Sequence, residues 1–296
     1  MDLLDAKTLS RLAGARLRAR ALMEGVLSGL HKSPHQGQSV EFAEHKEYAP
    51  GDELRHLDWK AYGKFDRYYV KRFEHETNLR GYLLVDASGS MGFSSHALSK
   101  LEVAKALCGA LAYLLVRQQD AAGLAVMTGG QVAELPARAA AGHLNALFSR
   151  LEPLPAAGEA DLVAAADLLA ERAGNRSFVA VFSDLLDERG EGLKRVLQLR
   201  ARKHDVAVFH LVDPAELEFP YDDPTLFLSM EGDGRLEVNP REIRESYLEE
   251  FRAFLAATKK ACAEADVGYE LVRTDAPLDP VLLRFLAGRT RRRGRR

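Results

Sequence analysis

Cysteine is scarce in this chain, with only Cys108 and Cys262 among 296 residues. Both fall within helical apolar patterns, which excludes a disulfide framework or a cysteine-rich metal site and makes both core residues. No apolar run has the roughly 20 residues needed to span a bilayer. Residues Met1 to Asp5 lack the basic start, apolar middle and small-residue cleavage site of a signal peptide. A reduced, cytoplasmic protein is the expectation. No P-loop, nucleotide-binding glycine motif or internal repeat is present.

What is present is an ordinary globular composition, 47% hydrophobic and 28% charged, with a net charge of −2. Its length suits one α/β domain with an appended segment. The ending Arg289-Thr290-Arg291-Arg292-Arg293-Gly294-Arg295-Arg296 holds six arginines, so the rest of the chain is distinctly acidic. Such a run repels itself and reads as a solvated, disordered tail without a specific nucleic-acid role.

From Leu79 onward, strand-length apolar runs alternate with helical patterns. The predicted strands are Tyr82–Asp86, Gly123–Met127, Gln131–Leu135, Phe178–Ser183, Val206–Val212 and Tyr269–Arg273. The predicted helices are Ser99–Gln118, Gly142–Leu151, Asp161–Ala173, Gly190–Lys203, Pro240 to about Ala265, and Leu278–Ala287. This pattern gives a doubly wound, mainly parallel sheet with helices on both faces, whose ligand site lies beyond the strand C-termini. The Pro-, Asp- and Gly-rich stretch Pro214–Asn239 reads as a loop with a small protruding hairpin around Leu226–Met230. Residues 1–79 differ in texture. Leu9–Leu30 is a helix with a basic, solvated face of Arg11, Arg16, Arg18 and Arg20. Asp52, Arg55, Asp58 and Lys60 surround Trp59, the one tryptophan, as an ion-pair network packing an edge, the alternative being a docking surface for a partner. This segment is expected to wrap the edge of the main sheet. The division is therefore 1–79, 80–288 and a tail at 289–296.

The most informative run is Tyr82-Leu83-Leu84-Val85-Asp86-Ala87-Ser88-Gly89-Ser90-Met91. A buried strand emerges on an aspartate, and Asp86, Ser88 and Ser90 then recur at alternate positions and can aim their oxygens at one point. A carboxylate with two hydroxyls suits a hard cation, Mg²⁺ or Mn²⁺. Phe178-Val179-Ala180-Val181-Phe182-Ser183-Asp184 ends in the same way, so Asp184 is expected on the same rim. Helix capping is the competing role for each aspartate alone.

Two catalytic alternatives would use the same pocket. A serine hydrolase with Ser90 as nucleophile needs glycine where Ser88 stands and an Asp–His pair downstream, whereas His210 reads as a core or strand-end residue. A phosphoryl-transfer enzyme with an aspartyl nucleophile usually has a second carboxylate at the Ser88 position. His31 and His35 flank Pro34, which makes a helical zinc pair unfavourable.

At these residues the chain resembles the von Willebrand factor A-like domains and, more closely, the bacterial family called domain of unknown function 58, found with MoxR-type AAA+ ATPases. The resemblance is carried by Gly29–Ser33, Glu41–Glu44, Tyr48–Asp52, Arg55–Lys60, Asp86–Met91 and Phe182–Asp187. It implies helices around a mainly parallel sheet, a non-enzymatic protein-interaction role, and a metal-ion-dependent adhesion site. Asp86, Ser88 and Ser90 match that site's first loop and Asp184 its third. At the second loop, Ala160 falls where the family's threonine would stand, leaving Glu159 or Asp161 to compensate. The implied mechanism is completion of a Mg²⁺ or Mn²⁺ site by a partner's acidic residue, with a MoxR-type ATPase as the implied partner.

Overall fold

The computed structural model describes residues 6–32, 45–47, 69–71, 79–140, 142–174, 176–187, 190–232 and 234–293. The chain divides into two compact units, one made of residues up to 30 together with those from 79 onward, the other of residues 31–78. In the smaller unit, β1 (His45–Glu47) pairs antiparallel with β2 (Tyr69–Lys71), Lys46 opposite Val70. Trp59 and its charged neighbours, His35, and most of the N-terminal stretches that carried the resemblance lie outside the described residues.

The larger unit is built on a six-stranded sheet. Its strands are β3 (Arg80–Asp86), β4 (Ala121–Thr128), β5 (Gln131–Arg138), β6 (Phe178–Ser183), β7 (Asp205–Val212) and, after the hairpin β8 (Thr225–Leu228) and β9 (Arg235–Val238), β10 (Gly268–Arg273). The order is β10-β7-β6-β3-β4-β5. All pairs are parallel except β4 with β5. The inner strands are buried on both faces, which is why they read as unbroken apolar runs. The antiparallel β5 alternates between exposed and half-buried residues along most of its length, as an edge strand does.

Helices cover both faces. On one face, α1 (Ala6–Ser10), α2 (Gly14–Lys32), α3 (Lys100–Arg117), α4 (His143–Leu151) and the C-terminal helix, Asp279–Arg293, enclose a single apolar cluster. On the other face lie α5 (Leu162–Arg172), α6 (Glu191–Ala201) and, following the short α7 (Pro214–Glu218), the long α8 (Pro240–Glu264). The C-terminal helix is α9. In α3, 13 of 18 residues are buried, the pattern of a helix enclosed on nearly all sides. It starts at Ser99, whose side chain accepts from the Glu102 N–H. At Gly109 a Cβ would lie 2.8 Å from both Ala19 and Phe148. Glycine there is what lets α2 and α4 approach α3 so closely. Phe209 stacks on Phe182 at 4.9 Å and meets Phe285 edge-on at 5.0 Å, tying the sheet to α9.

The doubly wound expectation holds: the sheet is mainly parallel, with helices on both faces. Each predicted strand and helix is present, except that Leu9–Leu30 is not one helix but is broken at residues 11–13 between α1 and α2. Three further expectations need correcting. The N-terminal helix does not wrap the sheet edge: Ala19, Leu22, Met23 and Val26 of α2 join the cluster around α3 and α4. Its basic face is not wholly solvated, since Arg18 donates to the Leu9 and Leu12 carbonyls and to Glu102 at 3.0 Å. Nor does a free tail begin at Arg289, because α9 runs on to Arg293. Arg289 donates to Asp205 at 2.7 Å and lies 4.0 Å above the Phe178 ring, so an ion pair and a cation–π contact hold it.

Candidate functional site at the strand ends

The first strand of the sheet, β3, lies between β4 and β6. The chain moves outward through β4 and β5, then returns to the other side of β3. The carboxyl ends of β3 and β6 therefore flank the switch point at which open α/β sheets bind their ligands.

Asp86, the last residue of β3, is 4% exposed. Its Oδ1 accepts from the Ser88 N–H at 2.9 Å, and its Oδ2 accepts from the Ser183 hydroxyl at 2.6 Å. The Ser88 and Ser90 hydroxyls are 3.1 Å apart. The sequence thus brings Asp86, Ser88 and Ser90 together as expected. Burial, reinforced by the charge of Asp184, pushes the Asp86 carboxyl up to about 6, against the pull of the Ser183 and Ser88 hydrogen bonds.

Asp184 reaches the same rim but has a cation of its own. Lys100, at the start of α3, is fully buried; its Nζ donates to Asp184 at 2.8 Å and to Glu216 of α7 at 2.6 Å. Burial works to lower the Lys100 ammonium, but Asp184 and Glu216 outweigh it and hold its pKa above the usual lysine value. Burial raises Glu216, with Lys100 opposing. One ammonium faces two carboxylates here, while Asp86 has only hydroxyl and amide donors. Among the described residues, no basic side chain hydrogen-bonds to Asp86.

The second loop reaches the first through its backbone. Gly89 N–H donates to the Gly158 carbonyl at 2.8 Å, and Ala157 N–H to the Ala87 carbonyl at 2.9 Å. Asp161 is exposed and caps α5 through the Ala164 N–H at 2.8 Å. Glu159 is exposed, and its carbonyl accepts from Gly130. Neither carboxylate hydrogen-bonds to the first loop among the described residues. Ala160 packs against the apolar cluster beneath α5.

Sequence reasoning missed four residues here: Ser183, Lys100, Glu216 and Glu231. The signal for Ser183 was present. Val85 is level with Phe182 in the parallel pair, so Asp86 is level with Ser183 and not with Asp184. The capping box over Asp213-Pro214-Ala215-Glu216 was also readable, and Asp213 and Glu216 form it around the start of α7. Beside the site lies a cleft of about 610 Å³, lined by Ser90, Lys100 and Glu216 and walled by Phe219, Phe227 and Tyr247. The tip between β8 and β9 covers the first loop. Glu231 Oε1 accepts from the Ser90 N–H at 3.2 Å, and a Cβ at Gly89 would lie 1.9 Å from the Met230 carbonyl oxygen. Only glycine permits that approach.

The arrangement does not form a nucleophile–base pair. The Ser90 hydroxyl neighbours Ser88, while His210 Nδ1 is 3.0 Å from the Tyr269 hydroxyl. Burial lowers His210 to about 4, with Asp184 opposing and Lys100 assisting. Among the described residues, no group of three or more His, Cys, Asp or Glu side chains is placed to hold a metal ion. The first loop's one carboxylate and two hydroxyls form an all-oxygen set, and among the described residues no basic side chain hydrogen-bonds to it. That set fits a hard cation that keeps several waters.

Fold and strand-end loop together define a doubly wound α/β protein with a polar loop at the carboxyl ends of its central strands. More narrowly, the chain belongs to the family described as "Protein of unknown function DUF58", whose profile matches residues 44–256. It is 26% identical over 298 residues to the uncharacterized protein Rv1480 of Mycobacterium tuberculosis, covering 98% of this chain and 92% of that protein. Among solved structures it is similar to the conserved hypothetical protein BatB from Bacteroides thetaiotaomicron, with TM-score 0.46, 14% identity, and coverage of 72% of this chain and 99% of that one. An aerotolerance-related membrane protein from Bacteroides fragilis is also similar, with TM-score 0.45, 18% identity, and coverage of 71% and 99%. No helix among the described residues of this chain is long and apolar enough to cross a membrane.

Proposed function

We propose that the strand-end loop is a divalent-cation-dependent protein-interaction site without catalytic activity, and that the protein acts as an adaptor for a MoxR-type AAA+ ATPase in protein assembly or maturation. The observation that carries this reading is the buried Asp86 carboxylate, which lies beside two hydroxyls at the switch point while the nearby lysine is committed to Asp184 and Glu216. Asp86, Ser88 and Ser90 would hold Mg²⁺ or Mn²⁺. The cation supplies a positive charge with open positions that an acidic side chain of a partner can fill, which gives geometry as well as affinity. Ser183 fixes the Asp86 carboxylate, and Lys100 keeps Asp184 and Glu216 from competing for the cation. Serine hydrolysis lacks support because no histidine neighbours Ser90 among the described residues.

The test is affinity capture from the native cell with tagged wild type and Asp86→Ala, each with Mg²⁺ or with EDTA. Recovery of the ATPase only by wild type with Mg²⁺ is the expected result. Equal recovery in all four arms would remove both the cation and Asp86 from the mechanism.

A further inference from the structure

The tip of the β8–β9 hairpin is held over the proposed site by two contacts. Glu231 places a carboxylate oxygen on the Ser90 N–H, and the Met230 carbonyl closes over Gly89. The tip is ordered internally: Ser229 Oγ accepts from the Glu231 and Gly232 N–H groups, and Ser229 N–H donates to Gly234. Yet it is fastened to the loop by few bonds, and Leu226, Leu228, Met230 and Leu236 all leave large apolar side chains exposed. A run of exposed apolar residues around an acid that faces a recognition loop is unusual for a merely solvated hairpin.

We propose that Met230–Glu231 is a built-in stand-in for the partner: the site recognises an acidic residue directly preceded by a large apolar one, and the free protein holds its own such pair there. This rests on the reading of the loop as an acid-binding site and adds the chemistry of the partner and the means of regulation. A partner segment must displace the tip, so its apparent affinity is reduced by the fraction of molecules in which the tip is open. The hairpin's exposed leucines then lie beside the incoming segment. A single hydrogen bond to a charged group corresponds to a closed state favoured about ten-fold or more.

The test uses the full chain and a fluorescent peptide carrying the sequence of residues 227–234, Phe-Leu-Ser-Met-Glu-Gly-Asp-Gly. Binding is measured with Mg²⁺ for wild type and Glu231→Ala, beside calorimetric titration of Mg²⁺ alone. Glu231 lies on a hairpin tip outside both apolar clusters, so the variant should melt with wild type. Glu231→Ala should bind the peptide about ten-fold tighter than wild type. Peptides with Glu→Gln or Met→Ser at the matching positions should bind it more weakly than the parent peptide. Mg²⁺ uptake with equal peptide binding by both proteins, with no peptide binding, or with no preference among the peptides would overturn the inference and leave the cation reading standing. Absence of Mg²⁺ uptake by both proteins would overturn the cation reading, and the inference with it.

Discussion

Replacing Asp86 by asparagine should stabilise the cation-free protein at neutral pH. In the fold this carboxyl is raised from an ordinary 3.8 to about 6, and at about 1.36 kcal/mol per unit its ionisation costs the folded state about 3 kcal/mol above pH 6. Asparagine keeps an oxygen for the Ser88 N–H but cannot accept the Ser183 hydroxyl proton with its amide nitrogen, a loss of about 1 kcal/mol. The net gain is about 2 kcal/mol, a rise in Tm of several degrees for a chain of this size. The sign reverses with pH. Because the folded pKa of Asp86 is raised, its penalty is absent below about 4 and complete above about 6. His210, lowered to about 4, behaves oppositely: its contribution is full above 6.5 and disappears as pH falls toward 4. In wild type the Asp86 and His210 slopes offset each other; Asp86→Asn removes the Asp86 part of that offset and leaves only the raised Glu216 carboxyl acting against His210 in this group. Urea unfolding from pH 3.5 to 8 in EDTA should show the variant ahead above pH 6, falling behind below pH 4. Addition of Mg²⁺ should raise wild type alone. A variant less stable than wild type at pH 7.5 in EDTA, or a difference independent of pH, would refute the account of Asp86 as a strained buried charge.

Lys100→Met should behave in the opposite sense, because it leaves Asp184 and Glu216 at the rim without their ammonium. A loss of about 3–5 kcal/mol in urea unfolding is expected at pH 7.5; a loss below about 1 kcal/mol would show that the triad contributes little. The two thiols are fully buried and burial raises both, Cys262 to about 11. An aromatic disulfide reagent at pH 8 should therefore titrate no thiol in the native protein and both in denaturant; rapid native labelling would place one of them outside the core.

The fold was legible because its strongest signals are local. Phe178–Ser183 and Tyr82–Asp86 read as strands because both faces are buried, and Pro240 marks the first turn of α8, where its missing N–H costs nothing. What escaped notice was held by contacts distant in sequence. An arginine-rich ending reads as a tail by composition alone, yet Asp205 and Phe178 give Arg289 a counter-ion and a ring to rest on. The basic face of α2 misled for the same reason: two carbonyls and Glu102 accept from Arg18, and spacing along one helix reports none of them.

Sequence reasoning put Asp86 and Asp184 on one rim but did not resolve the register between their strands, and the pleat explains why. Tyr82 and Leu84 share one face of the sheet with Val179 and Val181, and the next residues on that face are Asp86 and Ser183. Asp184 follows Ala180 and Phe182, whose cluster includes α3, and there it meets Lys100. Two aspartates at equivalent strand ends in sequence are therefore one residue out of step in register. One is held by a serine, the other by a lysine. That offset separates the two carboxylates: Asp184 binds the start of α3 and α7 to the rim through an internal ammonium, whereas Asp86 accepts from a hydroxyl and a backbone N–H. A hairpin acid more than a hundred residues away then closes over the same loop. Only the folded arrangement could show that Ser183 holds Asp86 and that Glu231 accepts from the Ser90 N–H.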